Sequence, residues 1–100
     1  MIYQMFELDE AATEELSKSR KIQLSPEVGR TLIEELARKG YEVFDSVDSY
    51  YNGIPRSIIV GGDSELPIRH AVIATADRFG LKFNSGYVYK KEFRSRPWHL

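Results

Sequence analysis

Ser25-Pro26-Glu27-Val28-Gly29-Arg30-Thr31-Leu32-Ile33-Glu34-Glu35-Leu36-Ala37-Arg38-Lys39-Gly40 runs into Tyr41-Glu42-Val43-Phe44, and the same grammar returns from Ser64 through Arg78-Phe79-Gly80 into Leu81-Lys82-Phe83. Each copy reads as a capped helix, a glycine stop and an amphipathic strand. In the first, Ser25 takes the N-cap and Pro26 the first helical position, where its missing donor costs nothing. Glu27 lies near the positive end of the helix dipole. Val28, Leu32, Ile33 and Leu36 make one apolar stripe, Glu34/Arg38 and Glu35/Lys39 stand opposite in the favourable i,i+4 order, and Gly40 supplies a left-handed stop before apolar Tyr41. In the second, Ser64 at the N-cap places Pro67 at the third helical position, whose amide is unpaired in any helix; Asp63 at the cap would cost a bond. Ile68, Ala71, Val72, Thr75 and Phe79 predict its buried face, with Ile73 and Ala74 well off it.

Outward from this repeat, Met1 to Leu8 reads as an opening strand and residues 9–24 as a short acidic helix followed by a loop. Residues 41–48 and Ser57-Ile58-Ile59-Val60 read as strands. Between them Asn52-Gly53 and Pro55 predict a hairpin tip over 50–56. Gly61-Gly62 predicts a sharp turn into the second long helix. From Leu81 the odd positions Leu81, Phe83, Tyr87, Tyr89 and Phe93 are apolar or aromatic, which predicts a half-buried strand with a bulge or reversal at Asn84-Ser85-Gly86. Arg94 to Leu100 is a basic tail. The order β-α-β-β-α-β predicts an α+β fold, a two-layer ferredoxin-like sandwich whose four-stranded antiparallel sheet has the order 4-1-3-2 and both helices on one face. An α-β-β-β-α core with peripheral end strands is the competing arrangement.

One hundred residues with 42% hydrophobic content predict a single domain over 1–100 that buries about 65% of its unfolded surface. Zero cysteines exclude a disulfide framework, a thiolate nucleophile and a Cys-based zinc site. No apolar run approaches the ~20 residues of a membrane span, and Glu7, Asp9 and Glu10 come too early for a signal peptide. The expectation is a soluble, cytoplasmic chain with no cofactor and no membrane partner. Net charge is -1, yet residues 1–50 carry 6 basic and 11 acidic side chains while residues 51–100 carry 8 and 4. Either the two halves pair with one another, or the basic end, Lys82, Lys90, Lys91, Arg94 and Arg96, forms a patch for an acidic partner.

Four constellations are candidates for function. Tyr50, Tyr51, Asn52 and Arg56 form an aromatic and polar tip of the types enriched at binding hot spots. Arg69 and Ile73, with His70, Ala74 and Asp77, mark a helix face suited to packing against another chain. Gly61-Gly62-Asp63-Ser64 resembles an anion-cradling turn, but it lacks a Gly-Lys-Ser/Thr signature and places Asp63 where the anion would sit. Asp9, Glu10, Asp45 and Asp48 would supply paired carboxylates to an enzyme cleft. His70 and His99 stand at no metal-ligand spacing, and no segment carries the alternating Gly and aromatic pattern of RNA-recognition modules.

Leu32-Ile33-Glu34-Glu35-Leu36-Ala37-Arg38-Lys39-Gly40-Tyr41, with Glu65-Leu66-Pro67 opening a second helix that ends Phe79-Gly80-Leu81, resembles HicA-type toxins, small RNA-cleaving proteins. The resemblance covers about half of the chain. It implies an α-β-β-β-α core and a catalytic histidine in a Gly-Ser-His segment, where this chain has Asp48-Ser49-Tyr50. The residues together point to a small non-enzymatic protein-binding module, a regulator, inhibitor or adaptor, acting through a sheet edge, the hairpin tip or a helix face. Edge pairing with a second copy is its cheapest homodimeric form. The rival is a nucleic-acid-binding, RNA-cleaving or toxin-like protein using Lys90, Lys91, Arg94 and Arg96.

Overall fold

The computed structural model describes residues 1–45 and 49–89. In chain order these form β1 (Ile2–Leu8), α1 (Glu10–Ser19), α2 (Pro26–Arg38), β2 (Glu42–Asp45), β3 (Tyr50–Tyr51), β4 (Ile54–Pro55), β5 (Ser57–Gly62), α3 (Glu65–Arg78) and β6 (Phe83–Tyr89). The repeat has a backbone cause. Gly40 and Gly80 both sit at positive φ, 96° and 78°. The next residue then reaches back in each copy, Tyr41 N–H to Leu36 O at 3.2 Å and Leu81 N–H to Ala76 O at 2.9 Å. This is the Schellman closure, in which an apolar residue after the glycine also meets the helix's last turn. Ser25 and Ser64 occupy the expected N-caps in extended conformation, although neither hydroxyl makes a capping bond.

The architecture is α+β: a four-stranded antiparallel sheet in the order β2-β5-β1-β6, three helices, and a separate two-stranded hairpin of β3 and β4. β1 lies inside the sheet between β5 and β6, so the competing arrangement with a peripheral first strand does not hold. Alternate residues of the strands, Phe6, Leu8, Val43, Ile58 and Val60, bury against Leu32, Ile33 and Leu36 of α2 and against Ile68, Val72 and Ala76 of α3. Each large side chain in this cluster contributes roughly 1.5–3 kcal/mol of burial. Asp9 caps α1 by accepting from Ala12 N–H at 3.0 Å. The helix is then pinned to the start of the last strand through buried Thr13. Its hydroxyl accepts from Lys82 N–H at 2.9 Å and donates to Lys82 O at 3.3 Å.

Several expectations need correction. Gly61 and Gly62 continue β5, opposite Tyr3 and Ile2 of β1, and do not form the turn. Their lack of a side chain serves packing: a Cβ on Gly61 would lie 2.4 Å from Cε1 of Tyr3. The Tyr3 ring is itself fixed, 5% exposed, set edge-on against Phe44 at 5.9 Å and donating to Glu42 Oε2 at 2.8 Å. Of the bulge or reversal expected at Asn84-Ser85-Gly86 it is the milder form that occurs: β6 runs on without reversing, and its register shifts between Gln4 and Phe6 of β1, which pair with Val88 and Ser85. That irregularity leaves Tyr87 73% exposed instead of half-buried. The expected Glu34/Arg38 and Glu35/Lys39 pairs are replaced, because the end of α2 faces α3. Arg38 takes Glu35, Arg78 approaches Glu35 at 3.8 Å, and Lys39 Nζ donates to buried Thr75 at 2.9 Å. Of the strand expected over 41–48, residues 46–48 lie outside the described residues, as does everything from Lys90 onward.

Gly61→Ala is expected to destabilise the fold by about 1–3 kcal/mol, because the added methyl must displace a ring held on two sides. Urea denaturation measures it, and an unchanged midpoint would show that the Tyr3 ring is free to move.

Candidate functional site

The hairpin tip is built by a turn with Asn52 at φ 50° and Gly53 at φ 84°, the two successive positive values that suit a two-residue connection between twisted strands. Its base is anchored. Ile54 is fully buried, and Gly53 packs so closely on Pro26 at the start of α2 that a Cβ would fall 2.5 Å from that ring. The candidate contact residues then divide. Tyr50 is 43% exposed and Asn52 is exposed. Tyr51 and Arg56 turn back onto α1: the Tyr51 hydroxyl donates to Glu14 Oε2 at 3.3 Å, and Arg56 Nε donates to Glu10 Oε2 at 2.9 Å. Arg56 also donates through its guanidinium to Ser49 Oγ at 3.1 Å. The Glu14 carboxyl is held below its ordinary value, first by the hydrogen bond and charge of Lys18 and then by Tyr51, while burial and Glu14 push the Tyr51 phenol up.

The four carboxylates expected near one another have separate environments. Asp9 caps α1, Glu10 pairs with Arg56, and Asp48 lies outside the described residues. Asp45, at the end of β2, has a buried Oδ1 without a hydrogen-bond partner, and burial pushes its carboxyl up to about 7. Among the described residues no group of three or more His, Cys, Asp or Glu side chains could hold a metal ion. No helix there is long and apolar enough to cross a membrane.

At the opposite end of the sheet an open depression of about 370 Å³ is lined by Lys39, Tyr41, Gly62, Asp63, Ser64 and Pro67, among others. Lys39 is committed to Thr75, Arg69 pairs with Glu65 at 2.9 Å, and Asp63 is exposed. The glycines whose sequence resembles an anion-cradling turn therefore lie in a strand, and the nearby cations are engaged.

The outer face of α3 differs in kind. Leu66 is 57% and Ile73 40% exposed, the two lying seven residues apart on one side of the helix. Below them His70, Ile73, Ala74 and Asp77 line a depression of about 340 Å³. These positions are related as i, i+3, i+4 and i+7, the four residues that frame the hole into which a neighbouring helix inserts a side chain. Ala74 is the smallest of the four. At its end Asp77 is bound by Arg20 at 2.9 Å and Lys82 at 3.4 Å, and the hydrogen bond from Arg20 holds its carboxyl below the ordinary range. Sequence reading names Arg69 and Ile73 here but passes over Leu66. The seven-residue spacing of Leu66 and Ile73 is the signal that could have found it. The basic residues Lys90, Lys91, Arg94 and Arg96, and His99, lie outside the described residues.

Comparison with family models, with curated proteins and with solved structures returns no match for this chain.

The folded carboxyl of Asp45, at about 7 against an ordinary value of 3.8, holds its proton more tightly than the unfolded one. Its cost is absent below pH about 4 and grows as pH rises toward 7. Asp45→Asn is therefore expected to leave stability unchanged at pH 4 and raise it at pH 8. The gain should be about 1–2 kcal/mol, less than the full shift because the group is only partly buried and water screens it. Urea midpoints of both proteins at the two pH values measure this, and an equal difference at both would show that Asp45 titrates normally.

Proposed function

We propose that this chain is a small non-enzymatic protein-binding module, of the regulator, inhibitor or adaptor kind, whose contact surface is the outer face of α3. The observation that carries the reading is the four-residue hole framed by His70, Ile73, Ala74 and Asp77, continued by exposed Leu66. An apolar helix stripe normally faces a core, and α3 has a second apolar surface beyond the one it buries. The inner side of the helix already commits Ile68, Val72 and Ala76 to the core, so Leu66 and Ile73 have no packing duty within the described residues. Tyr50 and Asn52 at the hairpin, and the outer edges of β2 and β6, are secondary surfaces for the same reading.

With the β3–β4 hairpin set aside as an insertion between β2 and β5, the order β2-β5-β1-β6 supports a ferredoxin-like sandwich of two interleaved split β-α-β units. α1 is then an addition between the first strand and the first long helix. Its role in this scheme is to hold the hairpin through Glu10 and Glu14, which leaves α3 as the long helix with an uncommitted face.

Replacing Ile73 and Leu66 together with Glu is expected to abolish stoichiometric capture of a protein partner from lysate of the native host, with the melting temperature within a few degrees of the parent. Hot-spot side chains of this size cost about 2 kcal/mol or more of binding when removed. Capture that survives both changes would exclude the α3 face.

A further inference from the structure

We infer that the face of the sheet turned away from α2 and α3 is a docking surface whose occupant is this chain's own residues 90–100, which lie outside the described residues. The surface is distinct from the outer face of α3, and the two readings stand or fall separately. Burial, reach and chemistry support it.

An antiparallel sheet with one wet face alternates apolar and polar side chains along each strand. β1, β5 and β2 break that alternation with apolar residues at successive positions, Met5-Phe6, Ile58-Ile59 and Val43-Phe44. Phe6, Ile58 and Val43 belong to the core under the long helices. Met5, Ile59 and Phe44 therefore form a row across the opposite face, Met5 paired with Ile59 and Ile59 with Phe44. Phe44 is only 5% exposed although β2 is an edge strand among the described residues, and Met5 and Ile59 are half-buried. Tyr3, set edge-on to Phe44, screens one side of that ring. The described helices and hairpin are engaged elsewhere: α2 and α3 cover the core face, the hairpin packs on Pro26 of α2, and α1 holds Asp77 at the end of α3 through Arg20. A sheet apolar on both faces is a sheet covered on both faces.

The chain is in the right place to supply the cover. β6 ends at Tyr89, whose backbone pairs with that of Tyr3, so residue 90 starts at the margin of this face. From β6 across to β2 is three strand spacings, about 14 Å. Eleven residues reach up to about 36 Å.

The composition of the segment matches the surface. Phe93, Trp98 and Leu100 suit the row of Met5, Ile59 and Phe44. Lys90, Lys91, Arg94 and Arg96 outnumber Glu92, while the charged residues in the described strands of this face, Glu7 and Glu42, are both acidic. Opposite fields steer the segment onto the sheet and apolar contact holds it there. The basic end of the chain is then spent on its acidic beginning, and the outer face of α3 stays open for a partner.

The test uses the absence of cysteine and the single tryptophan. Ser95→Cys gives the full chain one thiol for a nitroxide label, which broadens the methyl signals of side chains near it. The Met5 and Ile59 methyl groups are expected to lose most of their intensity and those of Leu66 and Ile73 on α3 almost none. In the unlabelled chain, iodide should quench Trp98 several-fold less than it quenches free tryptophan. Ile59→Glu, placed in the covered row, should remove the broadening at Met5 and the protection of Trp98 with circular dichroism retained. Broadening of Leu66 and Ile73 instead, or of none of the four, would overturn the inference, and so would broadening at Met5 that persists in a folded Ile59→Glu chain. If Ile59→Glu fails to fold, the label in the parent background decides by itself.

Discussion

Everything in this molecule depends on one shared burial, in which Phe6, Ile58 and Val60 of the sheet lie beneath Leu32 and Leu36 of α2 and Ile68 and Val72 of α3. All seven side chains are 1% exposed or less. Neither long helix could hold its apolar stripe out of water alone, and a four-stranded sheet needs one face covered. The two Schellman stops make the arrangement reproducible along the chain. Each ends a helix abruptly and aims the following apolar residue, Tyr41 or Leu81, back at the layer the helix has just covered.

That core leaves polar work for the periphery, and the charge asymmetry between the halves is partly used there. Glu10 meets Arg56 and Glu35 approaches Arg78, each pair joining the acidic first half to the basic second. Exposed pairs of this kind are individually weak, about 0–1 kcal/mol. Their value here is positional: Glu10 and Glu14 hold Arg56 and Tyr51, so α1 fixes the base of a hairpin whose two strands are only two residues each. Thr13 anchors the other side of α1 to Lys82 by bonds that belong to a buried hydroxyl and a strand backbone.

α3 has two apolar faces, and only one is needed for folding. A helix apolar all round is ordinarily a fully buried one. Here Leu66 and Ile73 stand exposed beside charged residues already neutralised by Arg20, Lys82 and Glu65, so covering this face would desolvate few unpaired charges. The resemblance of the helix segments to RNA-cleaving toxins rests on the same caps and stops that the core requires. With β1 interior and a tyrosine at position 50 where that family has its histidine, those shared residues express helix-ending chemistry common to many folds.

The sequence by itself determined the elements whose signals are local. Ser25-Pro26 and Ser64 mark helix starts, Gly40 and Gly80 mark stops, Asn52-Gly53 marks a reversal, and apolar spacing marks Leu32, Leu36, Ile68 and Val72 as core. Each of these follows from backbone conformations available to a few residue types, and neighbours along the chain suffice to read it. The candidate site was legible only in part, Ile73 and Arg69 by their angle on α3 and Leu66 only through its seven-residue spacing from Ile73. Only the tertiary structure decided the rest, because it depends on what lies across space. Gly61 belongs to a strand since the Tyr3 ring fills the place of its side chain. Lys39 leaves Glu35 since Thr75 of α3 comes within reach, and Arg56 turns from solvent toward Glu10 since β1 delivers α1 beside the hairpin. Tyr87 is exposed since a register shift opposite Gln4 and Phe6 breaks the alternation that a strand's period of two would otherwise enforce.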